Sequence, residues 1–251
     1  MTVHFVGAGP GAADLLTVRA TDLLAGADVV LYPGTYLDEA VLSYCQLGAE
    51  LVDTQDLTLD AMVDIQITNS RAGRSVVRLT SGDPSLYSAL TEQTRRLDAA
   101  GVSWDVCPGV PAYAAAAALV GSELTVPLVA QSVVLTRTQA RSTQMPATET
   151  LQAYAATKAT LVLHLGITRI GDLMSEVAPF YGEDCPVVVV YRASQPGEQV
   201  LRGTVSTIAD LVEAAALRQA AIILVGRAME RGGGESYLYA AGRDRRSKRA
   251  E

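Results

Sequence analysis

The first eleven residues constrain the fold of this chain more than any other stretch. Residues 3–6 form a short apolar run, and residues 7–11 form a glycine-rich loop that contains a proline. Residues 12–20 have the apolar spacing of a helix, with Asp14 as its predicted N-cap. A strand, a tight loop and a helix in this order begin most nucleotide- and cofactor-binding α/β domains. The chain is therefore predicted to open with a ligand-binding loop.

This loop departs from the two best-known phosphate-binding patterns. Ala12 stands where the G-x-G-x-x-G fingerprint of dinucleotide-binding folds has its third glycine. The second predicted strand, residues 28–32, runs into Pro33 and carries no carboxylate at its end for a ribose. No Gly-Lys-Ser/Thr sequence follows the loop. These departures argue against NAD and against a P-loop, so the ligand has to be identified from the rest of the chain.

Composition places the chain among α/β proteins with a sizeable core. Of its 251 residues 49% are apolar but only 5% are aromatic, and the apolar runs are rich in alanine and valine, as in strands buried on both faces. The net charge of −7 argues against nucleic acid as a partner. The longest apolar run, residues 112–120, is too short to span a bilayer, so no membrane partner is predicted.

Cysteine usage and the start of the chain bear on its compartment. Cys45, Cys107 and Cys185 are odd in number and far apart, so neither a disulfide framework nor a metal site is predicted. A reducing cytoplasm is the simplest setting for such a chain. Because the first predicted strand begins at residue 3, no secretory signal is expected before it.

Three predicted strands end in loops of small and turn-forming residues. These loops are residues 7–11, 81–84 and 108–111, and the last two follow strands predicted at residues 75–80 and 102–107. The helices predicted around them cover residues 57–71, 86–100 and 112–119. In an open parallel sheet, ligands bind where the loops meet at the carboxyl ends of the strands. The three loops are therefore expected to form one concave site.

The apolar pattern breaks at residues 121–130, and a domain boundary is predicted there. We expect an N-terminal α/β domain over residues 1–122, a C-terminal α/β domain over 130–229 and a flexible basic tail over 230–251. The strands predicted for the second half cover residues 132–137, 160–165, 186–191, 199–204 and 221–226. Its predicted helices cover residues 149–156, 169–180 and 207–218. Because residues 192–198 are short enough for a hairpin, this sheet is expected to be mixed, whereas the first is mostly parallel.

Six short motifs are spread along the chain. The first three are VGAGPG at residues 6–11 followed by LLT at 15–17, RLTSGDPSLY at 78–87 and PGVPA at 108–112. The last three are TLVLHLG at residues 160–166, YRASQP at 191–196 and ILVGR at 223–227. In this order and register they resemble the motifs of the tetrapyrrole (corrin/porphyrin) methyltransferases. The resemblance covers residues 3–229, which is nearly the whole chain.

Further residues resemble one subgroup of that family, the precorrin-4 C11-methyltransferases. They are LYPGTYL at residues 31–37, Asp53-Thr54 with LTLD at 57–60, and LTRT at 135–138 with Arg141 and Met145-Pro146. Uroporphyrinogen-III methyltransferases usually carry aspartate directly after the tyrosine of the second strand, where this chain has Pro33. This departure counts against uroporphyrinogen as the substrate and removes the family's commonest candidate for an acid–base carboxylate.

The family resemblance implies two α/β domains with an active-site trough between them, usually in a homodimer. It implies S-adenosylmethionine as the methyl donor, S-adenosylhomocysteine as the product and a small-molecule tetrapyrrole as the substrate. The subgroup resemblance implies methyl transfer to C11 of precorrin-4 or cobalt-precorrin-4 in cobalamin biosynthesis. The alternatives are a methyltransferase for another position of a corrin or porphyrin precursor, such as uroporphyrinogen III, and a nucleotide-binding module without chemistry.

The resemblance also implies, position by position, where the ligands lie. The donor contacts fall on Pro10, Ser81, Gly82, Asp83, Leu86, Pro111, Ala112, Leu165, Ala193 and Ala221. Small residues allow the close backbone approach that a compact donor needs, and a carboxylate such as Asp83 suits its positive charges. The substrate contacts are expected at Arg137, Arg141, Tyr87 and Tyr113. No residue is assigned as a general base.

These side chains also have purely structural interpretations. Asp83 can cap the helix predicted after it, a role compatible with donor binding. The two tyrosines can line the pocket or merely pack, and the arginines can be ordinary surface residues. His4 and His164 lie in apolar strands and are predicted to be core or wall residues rather than a base or a ligand.

Overall fold

The computed structural model describes residues 1–34, 37–138, 143–230 and 232–237. Three sequence-based predictions lie outside the described residues. They concern Thr35-Tyr36 of the subgroup motif, Arg141 as a substrate contact, and most of the basic tail.

The first half of the chain forms a parallel sheet. Its strands are β1 (Val3–Gly7), β2 (Val29–Tyr32), β3 (Glu50–Asp53), β4 (Val76–Thr80) and β5 (Trp104–Cys107). They lie in the order β3-β2-β4-β1-β5, and the pairings between them are parallel. The helices of this half are α1 (Val18–Ala25), α2 (Glu39–Leu42), α3 (Leu59–Arg71), α4 (Leu90–Ala99) and α5 (Ala112–Val120). The prediction that the first sheet is mostly parallel is therefore confirmed.

The three inner strands of this sheet, β1, β2 and β4, are buried on both faces. Successive side chains of a strand point to opposite sides, so β1 and β4 contribute to two apolar layers. Val6 and Val77 lie in one layer with Leu24 of α1, while Phe5 and Val76 lie in the other, which packs against α3 and α4. This double burial explains the valine-rich runs of the sequence.

The second half forms a mixed sheet. Its strands are β6 (Val133–Arg137), β7 (Thr160–His164), β8 (Pro186–Tyr191), β9 (Gln199–Thr204) and β10 (Ala221–Val225). They lie in the order β6-β7-β10-β8-β9, with β6 parallel to β7 and β10 antiparallel to both β7 and β8. The helices of this half are α6 (Leu151–Ala155), α7 (Ile170–Tyr181) and α8 (Ile208–Ala214). The mixed sheet predicted for this half is therefore confirmed.

Over the described residues the chain divides into two compact units. The first comprises Met1–Leu119 together with Arg192–Gln199, and the second comprises Val120–Tyr191 together with the described residues from Val200 onward. The segment Arg192–Gln199 thus belongs to the first unit although it connects two strands of the second sheet. The predicted domain limits, residues 1–122 and 130–229, stay a prediction. No helix in the described parts of the chain is long and apolar enough to cross a membrane.

Two helices, α1 and α4, begin at least three residues later than the sequence predicted. The N-cap of α1 is Thr17, whose hydroxyl accepts from the N–H of Ala20 over 3.1 Å, whereas Asp14 lies in a preceding 3₁₀ turn. Asp14 as the N-cap is therefore wrong. Likewise α4 begins at Leu90 and not near residue 86, because Ala89 before it has a left-handed backbone with φ of +55°. Asp83 consequently does not cap this helix.

Candidate functional site

Strands β1 and β4 lie side by side in the first sheet, and the chain leaves them in opposite directions. From β1 it passes beyond β4 to β2, and from β4 it passes beyond β1 to β5. In open parallel sheets such a reversal leaves a crevice at the carboxyl ends of the two strands, and ligands bind there. The loops after β1 and β4 are therefore where this fold is expected to hold a ligand.

A short backbone pairing joins these two loops. The N–H of Gly9 donates to the carbonyl of Gly82 over 3.1 Å, and the N–H of Gly82 donates to the carbonyl of Gly9 over 2.7 Å. Both residues have left-handed backbones, with φ of +71° and +69°, a region that residues with a Cβ rarely adopt. The pairing extends the contact between the strands beyond the sheet and fixes the two loops to each other.

The loop after β5 packs against the same place through glycine. A Cβ on Gly109 would stand 2.8 Å from the Cα of Gly7 and closer still to the carbonyl oxygen of Gly82. A Cβ on Gly7 would stand 2.5 Å from the nitrogen of Gly109. The three loops therefore approach one another to distances that only glycine permits at these positions. Their predicted convergence is confirmed.

Asp83 links the second of these loops to the third. Its Oδ2 accepts from the N–H of Gly109 over 2.8 Å, and its Oδ1 accepts from the N–H of Ser85 over 2.9 Å and from the Ser85 hydroxyl. Burial alone raises the pKa of this carboxyl group, but these hydrogen bonds outweigh burial and hold the pKa below its ordinary value. Asp83 is therefore ionised at neutral pH and places a negative charge at the junction of the loops.

The segment Arg192–Gln199 lies over the glycine loop. The side-chain amide of Gln195 donates to the carbonyl of Pro10 over 2.6 Å. The same side chain occupies the space into which a Cβ on Gly11 would project. The loop is therefore held from its outer side by a segment far away in the sequence.

A second contact ties this segment to the loop. The hydroxyl of Ser194 accepts from the N–H of Ala12 over 3.2 Å. Sequence reasoning named only Ala193 in this segment and missed Ser194 and Gln195. The motif YRASQP was the signal that could have included both, because it contains them.

Most of the predicted donor contacts lie in the first unit, in these loops and the segments that follow them. They are Pro10, Ser81, Gly82, Asp83, Leu86, Pro111, Ala112 and Ala193. A Cβ on Gly82 would reach only ordinary van der Waals distances of 3.6 Å from the nitrogen of Ala112 and the Cα of Pro111. The backbone of Gly82 is thus flanked by small residues and by an ionised carboxylate. These residues fit a compact ligand that carries positive charge.

The remaining predicted contacts with described positions lie at one edge of the second sheet. Arg137 ends β6 and pairs in register with His164 of β7, so Leu165 follows at the same edge. Continuing the antiparallel register of β7 and β10 by two residues places Ala221 opposite Leu165. Leu165 has a left-handed backbone with φ of +55° and is 62% exposed. The structure therefore brings Arg137, Leu165 and Ala221 to a common edge.

Arg137 borders a cavity of about 310 Å³ in the second unit. Its Nη2 donates to the carbonyl of Thr143 over 2.7 Å, which orients the guanidinium. The cavity is also lined by the guanidinium of Arg169 and by the carboxylates of Glu149 and Glu176. Arg169 is 3.7 Å from Glu176. The wall of the cavity therefore carries charges of both signs.

The other predicted side chains occupy varied surroundings. Tyr87 lies in the loop after β4, is 49% exposed and has φ of +54°, whereas Tyr113 is half-buried in the first turn of α5. Burial lowers the pKa of His164, which keeps its ring neutral at neutral pH. The Nδ1 of His4 lies 2.8 Å from a carboxylate oxygen of Asp105, away from the glycine loops at the opposite end of β1.

Within the described residues, no group of three or more histidine, cysteine, aspartate or glutamate side chains is arranged to hold a metal ion. The thiols of Cys45, Cys107 and Cys185 are all free.

The close approach at Gly109 gives a stability prediction. Gly109→Ala should destabilise the protein by about 2 kcal/mol or more, because the new methyl group would overlap backbone atoms that cannot rotate away. The matched control is Gly171→Ala in α7, where an added Cβ meets nothing within 4 Å. That variant should be neutral or stabilised by up to about 1 kcal/mol. Urea denaturation of both variants measures the difference, and equal midpoints would contradict the steric argument.

Comparisons with known proteins agree with this geometry. Residues 2–209 match the family model described as Tetrapyrrole (Corrin/Porphyrin) Methylases. A precorrin-4 C(11)-methyltransferase of Rhodococcus erythropolis is 51% identical over 246 residues, which covers 98% of this chain and 99% of that protein. The crystal structure of a cobalt precorrin-4 methyltransferase is 39% identical and superposes with a TM-score of 0.88, covering 91% of this chain and 96% of the other.

A further solved structure carries a ligand. It is a uroporphyrin-III C-methyltransferase from Thermus thermophilus complexed with S-adenosylhomocysteine, 28% identical, with a TM-score of 0.77 and coverage of 92% of this chain and 94% of the other. The family model spans well over half of the sequence, and the relatives match it over nearly their full length. The chain belongs to the tetrapyrrole (corrin/porphyrin) methylases.

Proposed function

We propose that this chain is an S-adenosylmethionine-dependent methyltransferase that acts on C11 of precorrin-4 or cobalt-precorrin-4 in cobalamin biosynthesis. The observation that carries the proposal is the junction of three glycine loops at the carboxyl ends of β1, β4 and β5, with an ionised Asp83 within it. The family membership supports the reaction class, and the names of the relatives support the position of methylation.

The donor is proposed to bind at the loop junction. When bound, S-adenosylmethionine would supply a methyl group activated by its sulfonium, so that attack by an electron-rich ring carbon in line with the C–S bond would form the new C–C bond and release S-adenosylhomocysteine. The accessible backbone beside Gly82 allows close approach of a folded ligand, and the Asp83 carboxylate attracts its positive charge. The Oδ1 of Asp83 already accepts two hydrogen bonds from Ser85, whereas its Oδ2 accepts one from the Gly109 N–H and has a further lone-pair site.

The protein's main contribution to the reaction is proposed to be orientation. Because the methyl group is already activated, catalysis requires chiefly that the reacting atoms are held in line and that water is excluded. The Gly9–Gly82 pairing and the Gln195–Pro10 hydrogen bond fix the loops before any ligand arrives. A site fixed in advance loses less conformational freedom on binding.

The substrate is proposed to be recognised through its acidic side chains. Precorrins carry many acetate and propionate groups, and the chain has a net charge of −7, so local positive charge has to offset repulsion. A guanidinium matches a carboxylate in bidentate geometry better than an ammonium group does. Arg137, oriented by the Thr143 carbonyl beside a cavity, is the proposed contact within the described residues, and Arg141 is a second one by sequence.

The remaining proposals concern organisation. The enzyme is proposed to be a cytoplasmic homodimer that takes up a small-molecule tetrapyrrole and needs neither nucleic acid nor a membrane. Its two α/β domains are proposed to be residues 1–122 and 130–229. The family resemblance and the absence of paired cysteines among the three thiols support these assignments.

The function is tested by product analysis. The purified protein is incubated with S-adenosylmethionine and, in separate reactions, with precorrin-4, cobalt-precorrin-4 and uroporphyrinogen III. We expect a product one methyl group heavier from at least one of the first two and none from uroporphyrinogen III. A ¹³C-labelled donor methyl group should appear at C11 in the NMR spectrum. Methylation of uroporphyrinogen III alone would assign the enzyme to another macrocycle position.

Donor binding at Gly82 is tested by a pair of variants. The wild type should bind S-adenosylhomocysteine with micromolar affinity, about −8 kcal/mol. Gly82→Leu should abolish binding, because its side chain fills the space beside Pro111 and Ala112. Gly73→Leu is the control, since Gly73 has a similar φ of +78° but nothing within 4 Å of an added Cβ. Calorimetry that found equal affinities in the two variants would show that the donor binds elsewhere.

The role of Arg137 is tested by steady-state kinetics. Hydrogen bonds to charged groups contribute about 1.5–3 kcal/mol, so Arg137→Ala should raise the KM for the macrocycle roughly 10- to 150-fold. The affinity for S-adenosylhomocysteine should change little, and Arg137→Lys should restore part of the loss. Arg218→Ala removes an exposed guanidinium that is paired with Glu213 at 2.6 Å and serves as the control. A wild-type KM in Arg137→Ala would make Arg137 an ordinary structural residue.

A further inference from the structure

Arg78 is a buried cation in the middle of the first sheet. It lies in β4 between Phe5 of β1 and Leu31 of β2 and is only 8% exposed. Among the described residues its one hydrogen bond runs from Nη1 to the carbonyl of Leu79 over 2.8 Å, and its Nε has no partner. No described carboxylate forms an ion pair with it. Burial without a compensating charge lowers the pKa of Arg78 to about 10.

The backbone ladder explains why the guanidinium lies at Leu79. Along the β2–β4 pairing, the N–H of Val29 donates to the carbonyl of Ser75 over 3.1 Å, and Leu31 pairs in register with Arg78. Two residues further on, the N–H that would donate to Leu79 belongs to Pro33. Proline has no N–H, so the carbonyl of Leu79 has no ladder donor. Arg78 supplies the missing donor from its side chain.

This contact also sets the direction of the side chain. Leu79 follows Arg78 towards the carboxyl end of β4, and a parallel strand rises about 3.3 Å per residue. The hydrogen bond to Leu79 therefore draws the guanidinium towards the edge where the loops at Gly9 and Gly82 are paired. A neutral carbonyl orients the cation there but leaves its charge uncompensated, and a buried charge is stable only with a counter-charge.

We propose that Arg78 binds a carboxylate group of a ligand at the carboxyl edge of β4. The inference rests on the proposed function, which brings two carboxylate-bearing molecules to this edge. One source is the amino-acid carboxylate of the methyl donor, and the other is an acetate or propionate group of the macrocycle. In either case the ligand supplies the negative charge that the described protein residues lack.

Pro33 offers a way to separate this role from a structural one. In Pro33→Ala the backbone regains an N–H that can donate to the carbonyl of Leu79, so that carbonyl no longer depends on Arg78. In this background Arg78→Met keeps an apolar stem of similar length, removes the charge, and should leave the ladder intact. Arg74→Met in the same background is the control, because Arg74 precedes the same strand but is paired with Glu50 at 2.7 Å.

Four probes distinguish the sources of the carboxylate. They are S-adenosylhomocysteine, its decarboxylated analogue, the polycarboxylate uroporphyrin III, and glutarate as a simple dicarboxylate. Titration calorimetry measures the first three, and thermal shift measures glutarate. Circular dichroism and urea denaturation establish that each variant is folded. Should Arg78→Met not fold even with Pro33→Ala, Arg78→Lys replaces it, because it keeps a charge but loses the planar donor pair.

The expected result is a loss of about 10- to 150-fold in affinity for one carboxylate-bearing ligand on Arg78→Met, and none on Arg74→Met. Weaker binding of S-adenosylhomocysteine, with the decarboxylated analogue unaffected, assigns the donor's carboxylate. Weaker binding of uroporphyrin III alone assigns the macrocycle. Affinities unchanged within about twofold for both ligands in a folded variant overturn the proposal. If Arg78→Lys is used instead, the same comparisons apply, and a smaller loss of ligand affinity is expected.

The failure of the proposed function has a different signature. A wild-type protein that bound neither S-adenosylhomocysteine nor uroporphyrin III would contradict the proposed function itself. In that case the thermal shift with glutarate tests whether Arg78 binds a carboxylate. Carboxylate binding by Arg78 would be supported if glutarate stabilised Pro33→Ala against heat but did not stabilise Pro33→Ala/Arg78→Met. Equal stabilisation of the two proteins would refute it.

Discussion

The site in the first unit depends on glycines standing where no side chain fits. Gly7 and Gly109 bring the loops after β1 and β5 so close that a Cβ on either would overlap backbone atoms. This approach leaves room for Gly82 to pair with Gly9 and for Asp83 to accept from the Gly109 N–H. The order of the loops, the accessible backbone and the position of the negative charge thus follow from one steric constraint.

At two positions of this acidic protein a backbone carbonyl group orients an arginine. Arg78 donates to the carbonyl of Leu79 and Arg137 to that of Thr143, each close to the carboxyl end of a strand. At Arg78 the carbonyl oxygen orients the guanidinium without neutralising it, unlike a carboxylate. Because Pro33 has no N–H, the carbonyl of Leu79 is left free to accept from Arg78. A single proline therefore both ends the hydrogen-bond ladder between β2 and β4 and determines where the guanidinium lies. This arrangement suits ligands that carry carboxylates.

The elements of the fold could be predicted because they depend on short-range patterns. The predicted strands 186–191 and 199–204 coincide with β8 and β9, since alternation and flanking turns delimit them locally. Helix starts were less accurate, because several residues near α1 could serve as a cap and only the path of the chain selects Thr17 over Asp14. The convergence of three loops was predictable, since it follows from the general geometry of parallel sheets.

The sequence by itself determined the two sheets, the three glycine loops and the family resemblance, because each is a property of neighbouring residues. Only the tertiary structure decided which atoms meet. Gln195 and Pro10 are 185 positions apart in the sequence. No local pattern predicts that the side chain of Gln195 packs against the glycine loop that contains Pro10. The role of Arg78 likewise required the register of β2 against β4, which directs the carbonyl of Leu79 to the nitrogen of Pro33, where there is no N–H. Such contacts depend on how whole strands pair, and short sequence patterns do not specify that pairing.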